Sequence, residues 1–184
     1  AFHRIKLPAN TLTGADLWLL GSSLWSSSAA AQLGLPYAFA HFFSGESTRT
    51  AIERYITRFQ PSAYRSGPEA MVAVGVICAE TQEEADELAL SVQLLRRRLR
   101  QGTPGPVASP ATARRELGAS AGVPETPGQE WPAHFVGTPD KVRDALTKMA
   151  GELKVDELIV VTITHDSEAR LRSYALLAQA FGLS

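Results

Sequence analysis

The stretch LWLLGSSLWSSSAAAQLGLPYAFAHFF, residues 17–43, decides how the chain is read. An apolar run at 17–20 stops at Gly21-Ser22-Ser23, and small and hydroxyl residues then lead into an Ala-rich segment closed by Gly34 and Pro36. That order is strand, tight turn, helix over 24–33, and stop. A second apolar run at 37–42 starts at once, so two strands joined by a helical crossover should lie parallel in one sheet. Ligands in such units bind at the carboxyl ends of the strands, where Gly21-Ser22-Ser23 falls. Small residues there let backbone approach a ligand, and N–H groups at a helix N-terminus are aimed at anions such as phosphate. The same residues also make an ordinary helix cap, and spacing alone does not separate the two uses.

Working outward, the pattern repeats. A helix over 48–59 places Ile52, Tyr55, Ile56 and Phe59 on one face, with Ser47 as its cap and Pro61 beyond its end. A third strand spans 71–79, with Gly75 in its middle, where a close neighbour or a bulge is expected. Thr81 and Glu84 have capping-box spacing, and Ala85, Leu88, Val92, Leu95 and Leu99 then recur at helical intervals as far as Arg100. Residues 101–133 form a long Pro- and Gly-rich loop in which only 111–117 suits a turn or two of helix; a loop of this length is functional or a mobile surface excursion. His134 and Phe135 follow. Thr138-Pro139 then opens a helix to Leu153, a fourth strand spans 157–164, and a last helix runs to Phe181. Residues 1–16 read as an irregular connection with a short extended piece at 2–7.

Four parallel strands alternating with helices make the class α/β, organised as one domain over residues 1–184. With 184 residues and 45% hydrophobic content the chain suits a globular domain, yet it is short for a whole (β/α)8 barrel. A net charge of -1 offers no electrostatic case for nucleic acid or an anionic membrane surface. The Arg96, Arg97, Arg98 and Arg100 cluster ends a helix, where cations meet the dipole favourably. The single cysteine, Cys78, excludes an internal disulfide and sits in an apolar run as a buried, inert thiol. No membrane span or signal-peptide pattern is present, so the cytoplasm is the expected location. Metal-protease, paired-cysteine, Walker-type and GxSxG motifs are absent.

The order LLGSS, small-residue helix, GLPYAFAHF resembles the fifth and sixth strand units of the bacterial luciferase-like, flavin-dependent monooxygenases, a (β/α)8-barrel family. FVGTPDKVRDAL and DELIVVTITHDSEARLRSYALLA resemble that family's closing units, and nothing resembles the first four. The resemblance implies the C-terminal half of a TIM-type barrel, a fragment or natural half that lacks its N-terminal partner or self-associates. It also implies reduced FMN as cofactor, O2 and a small organic substrate as reactants, and a flavin reductase as partner. Gly21, Ser22, Ser23 and Ser26 match the flavin-phosphate positions; where parts of the family carry a carboxylate at the second of these, this chain has Ser22. Catalytic residues are not assigned. A non-catalytic flavin-binding or assembly half-barrel is the alternative from a different class, and a deazaflavin is the alternative cofactor.

Three other residues invite a role. Trp25 either covers a ligand or, by the usual behaviour of large aromatics, packs on the neighbouring helix. His41, the polar interruption of the second strand, is a ligand contact or, more in keeping with its surroundings, a hydrogen-bonded structural histidine. His165 beside Asp166 suggests a catalytic pair, but adjacent extended residues point apart and Asp166 or Ser167 suits a helix cap.

Overall fold

The computed structural model describes residues 16–63, 65–123 and 129–183. Its elements follow the chain as β1 (Leu19–Gly21), α1 (Leu24–Leu33), β2 (Tyr37–Ala40), α2 (Thr48–Arg58), β3 (Ala70–Cys78), α3 (Gln82–Arg100), α4 (Pro110–Leu117), β4 (His134–Gly137), α5 (Pro139–Leu153), β5 (Glu157–Val161) and α6 (Ser167–Ala180). All the strand pairings are parallel: β1 with β2, and β2, β4 and β5 each with β3. The irregular connection expected before β1 lies outside the described residues, apart from Asp16.

Four β/α units appear in the expected order, and a fifth short strand joins them. β2 ends at Ala40, short of the apolar run that continues to Phe43, because the chain turns there: the N–H of His41 donates to the Phe39 carbonyl (3.0 Å) and that of Phe43 to Ala40 (3.2 Å). The N–H of Phe42 still reaches the Ala73 carbonyl, and further along β3 the N–H of Ala79 donates to Gly137 of β4. Alternate residues of a strand address the same neighbour, so Ala73 and Ala79 face one edge of β3. β4 therefore takes over the edge that β2 leaves.

The register sorts the side chains into two faces. Tyr37, Phe39, Val72, Val74, Val76, Cys78 and Phe135 belong to the main core with Ala30, Ala31, Ile52, Tyr55, Leu146 and Met149 from the helices. Burial on this scale is the chief stabilising term, roughly 25 cal/mol per Å² of apolar surface. The opposite face carries Leu20, Ala38, Ala40, Ala73, Gly75 and His134, which alternate with those core residues in the register. β1 and β5 each have one neighbour among the described strands, and Leu20 and Ile159 on them remain exposed.

The helices end and begin as their residues dictate. Thr81 Oγ1 accepts from the Glu84 N–H at 3.1 Å, capping α3. Ser47 stands at the N-cap of α2 without a side-chain cap bond, and Pro139 occupies the first turn of α5. Within 101–133, α4 packs on α3 through Leu90, Leu94, Ala113 and Leu117. Gln93 fastens the following turn by donating to the Ser120 and Val123 carbonyls and accepting from the Gly122 N–H. Arg98 meets Glu116 at 2.9 Å and Arg97 reaches the Glu116 carbonyl, so two residues of the arginine cluster tie α3 to α4. Cys78 is buried, and burial pushes its thiol up to about 11. No described helix is long and apolar enough to cross a membrane.

Candidate functional site

The turn between β1 and α1 is built from four short residues. Ser23 is the N-cap, extended at φ -137°, ψ 161°, and its hydroxyl oxygen accepts from the Ser26 N–H at 3.2 Å. The Ser26 hydroxyl in turn accepts from the Ser23 N–H (3.3 Å), donates to the Ser23 carbonyl (2.8 Å) and lies 2.9 Å from the Tyr37 hydroxyl. The Ser26 and Tyr37 hydroxyls both reach the Ser23 carbonyl, Tyr37 at 3.4 Å, and the Ser23 hydroxyl also lies 3.3 Å from Ser26 Oγ, so Ser26 is engaged within the box from several sides. Burial is the main influence on the Tyr37 phenol and holds it above its ordinary value, the hydrogen bond with Ser26 acting in the opposite sense, so the phenol stays protonated.

Gly21 is required by the same packing. A Cβ there would fall 2.3 Å from Ser26 Oγ and 2.4 Å from Ser26 Cβ. Ser26 and Ser27 are buried, whereas Ser23 is exposed and Ser22 half-buried. Of the four residues matched to a phosphate, Ser26 thus shapes the turn, and Gly21, Ser22 and Ser23 lie at its surface. The N–H groups of Leu24 and Trp25, at the first two helical positions, have no partner within the helix, and α1 has no acidic residue in its first turn. The result is an uncharged, donor-rich helix start at a strand's carboxyl end, a fit for an anion.

Trp25 is 78% exposed rather than packed on a neighbouring helix. The face of α1 that meets the core carries Leu24, Ser27, Ala30 and Ala31, and Trp25 lies about 100° round the helix from Leu24.

His41 is fully buried and doubly bonded, the structural use its surroundings favour. Nε2 donates to the Pro132 carbonyl at 2.9 Å, because a carbonyl can only accept. Nδ1 lies 2.7 Å from Thr48 Oγ1, whose hydroxyl also reaches the Gly45 carbonyl at 2.9 Å. Burial is the main influence holding His41 below its ordinary pKa, and with Nε2 donating to Pro132 the neutral ring leaves Nδ1 to accept, so the single Thr48 proton is shared between Nδ1 and the Gly45 carbonyl. The ring also meets Trp131 and Phe135 with centroids 6.4 and 6.3 Å away.

These contacts fix the end of the long excursion where it returns to the sheet. Arg49 of α2 sits 4.9 Å from the Trp131 ring centroid, grips Glu130 with two guanidinium nitrogens and bonds Glu152 of α5 at 3.0 Å. A half-open cleft of about 310 Å³ lies beside this segment, lined by Trp131, Phe135, Val142, Ala145, Lys148 and Glu152. It includes no residue of the 21–26 turn, and its carboxylates already serve Arg49, so the turn is the better candidate for an anionic ligand.

The His165–Asp166 pair is not assembled for catalysis. Asp166 Oδ1 caps α6 by accepting from the Ala169 N–H at 2.8 Å, and His165 Nδ1 bonds the Val107 carbonyl at 2.9 Å. His134, passed over in the sequence except as the residue before Phe135, is brought onto Gly75 of β3. A cluster of metal-binding side chains does not occur among the described residues.

A sequence profile of the luciferase-like monooxygenase family matches residues 2–157. The uncharacterized protein YwcH of Bacillus subtilis (strain 168) is 38% identical over 180 residues, covering 98% of this chain and 54% of YwcH. A luciferase-like monooxygenase of Escherichia coli (strain K12) is 36% identical over 162 residues, 87% of this chain and 48% of that protein. Among solved structures, apo-MsnO8 superposes with a TM-score of 0.88 at 41% identity, covering 98% of this chain and 55% of MsnO8. The chain spans about half the length of these curated relatives.

Proposed function

The chain belongs to the luciferase-like monooxygenase family, and from that premise we propose that it binds the phosphate of FMN as part of a flavin-dependent monooxygenase that oxidises a small organic substrate. One observation carries the reading: a hydrogen-bonded serine box opens α1 at the carboxyl end of β1 and leaves the Leu24 and Trp25 N–H groups for an anion. In this reading the phosphate is held by those N–H groups and by the hydroxyls of Ser22 and Ser23. Gly21 and Ser26 set the backbone path, and Tyr37 locks Ser26 from beneath. Reduced flavin, when bound, supplies the oxygen-activating chemistry, with O2 as co-reactant and a flavin reductase as the source of electrons. The chain's own part is to bind and orient the cofactor.

The apolar margins at β1 and β5 call for cover, since parallel strands are normally buried on both faces. Cover comes from an N-terminal half-barrel or from a second copy. In the second case the product is a flavin-binding module without turnover, and purified chain would quench FMN fluorescence without flavin-dependent oxygen uptake. A deazaflavin would bind the same turn and differ in its absorbance. A cytoplasmic setting suits the supply of reduced flavin.

Fluorescence titration with FMN tests the site. Ser23→Asp keeps a good N-cap but sets a carboxylate beside the phosphate, and should weaken FMN binding strongly. Ser23→Ala should cost about 1 to 2 kcal/mol, the scale of one hydrogen bond to a charged group. Unchanged affinity in the Asp variant removes the phosphate from this turn.

A further inference from the structure

His134 is set down where a ligand-facing residue would have to be. Its register partner is Gly75, and the next pair, Phe135 with Val76, belongs to the helix-packed core. Successive side chains of a strand alternate, so His134 and Gly75 share the opposite face, at the carboxyl end of the sheet. There the imidazole lies over the glycine: a Cβ at Gly75 would fall 2.2 Å from His134 Cδ2 and 2.6 Å from Nε2. A glycine weakens a central strand, and here its bareness seats one half-buried imidazole. Glu157 is the other titratable residue that the register places on this face among the described residues, and it stands at the amino end, opposite Met71.

A second device holds His134 in place. β4 is short, and its approach is fixed two residues earlier, where buried His41 binds the Pro132 carbonyl and packs on Trp131 and Phe135. Because β4 continues the line of β2, it lies one strand spacing, roughly 5 Å, from the line of β1. The candidate phosphate turn ends β1.

We propose that His134 is a ligand-contacting residue of this site, its imidazole hydrogen-bonding the polar, imide-bearing edge of the flavin ring whose phosphate rests on the 21–26 turn, with Gly75 and His41 as positioning residues. The proposal rests on the flavin reading above.

The test uses the 184-residue chain with FMN as the probe. The His134 Cε1–H resonance, assigned by its loss in His134→Gln, is followed by NMR alongside FMN fluorescence quenching. The expected result is a His134 shift that saturates with the quenching while the buried His41 resonance stays still. His134→Phe should weaken FMN by about tenfold or more, the loss of one good hydrogen bond, and His134→Gln, which keeps a donor, by no more than about threefold. If FMN quenches, Ser23→Asp weakens it strongly, and yet the His134 resonance does not move, this inference is wrong and the phosphate reading survives. A wild-type chain that fails to quench FMN overturns both. Should His134→Phe fail to fold, the wild-type resonance decides alone.

Discussion

Replacing Gly75 by Ala should destabilise the protein, and should cease to do so once His134 is removed. The new methyl would stand 2.2, 2.6 and 2.7 Å from Cδ2, Nε2 and Cγ of His134, so a ring held between strands, and not the loose end of a side chain, has to move. Overpacking of this kind costs about 1 to 3 kcal/mol. Against it stands a gain of about 0.4 to 1 kcal/mol, because Ala restricts the unfolded chain more than Gly does. The net loss is about 1 to 2 kcal/mol, or a fall of about 2 to 8 °C in Tm for a chain of this length. In a His134→Ala background the clash is gone and the same change should stabilise by about 0.5 kcal/mol, a coupling of about 2 kcal/mol. Urea unfolding of the four proteins, followed by far-UV circular dichroism, measures it. Equal effects of Gly75→Ala in both backgrounds would refute the seating of the imidazole on the glycine.

Other consequences are equally open to measurement. Tyr55 places its buried hydroxyl 3.0 Å from the Leu35 and Glu69 carbonyls and the Glu69 N–H, so Tyr55→Phe should cost about 1 to 3 kcal/mol in denaturant unfolding by taking the acceptor from the Glu69 N–H and the donor from the Leu35 side, the Glu69 carbonyl keeping the Tyr37 N–H. His41 has a folded pKa held below its ordinary 6.5, chiefly by burial, so the unfolded chain binds a proton that the folded one refuses. Stability should be full above about pH 6.5 and fall as the pH drops from there toward the folded pKa; in thermal melts from pH 5 to 8, His41→Gln should lose that component. Arg49→Met should leave the fold intact but free the Trp131 segment, read as greater acrylamide quenching of Trp131 in a Trp18→Phe, Trp25→Phe background. The isolated chain should associate in sedimentation through its apolar margins and show no flavin-dependent oxygen uptake; a monomer with turnover would contradict the account of those margins.

The four main strands were legible because apolar runs bounded by Gly, Ser and Pro alternate with helical periodicity; the spacing survives, as do the caps at Ser23, Thr81 and Asp166, while Ser47 and Thr138 make no side-chain cap bond. β4 was not. Its residues, HFVG, are too few to carry a period, and they form a strand because β3 offers a free edge beyond Ala73, a tertiary circumstance. The early end of β2 was hidden for the same reason: YAFAHFF reads as continuous strand, and His41 leaves the sheet to bond Thr48 and Pro132, the latter 91 residues away. The Gly-Ser turn could be seen, since small residues between a strand and a helix are a local signal. That the Tyr37 hydroxyl meets the Ser26 hydroxyl could not, because it depends on which face of β2 meets α1. Gly75 was a recognisable anomaly in a strand, and a histidine from a distant segment explains it.

The central claim is that the 21–26 turn holds a phosphate, and the ratio of FMN to riboflavin affinity tests it most directly, because the two ligands differ only in that group. Measured by fluorescence titration, the wild-type chain should prefer FMN by about tenfold or more, the worth of one or more charge-assisted hydrogen bonds. The preference should vanish in Ser23→Asp, while riboflavin binding stays unchanged. Equal affinity of the wild-type chain for the two, or a preference for FMN that survives Ser23→Asp, would contradict the account.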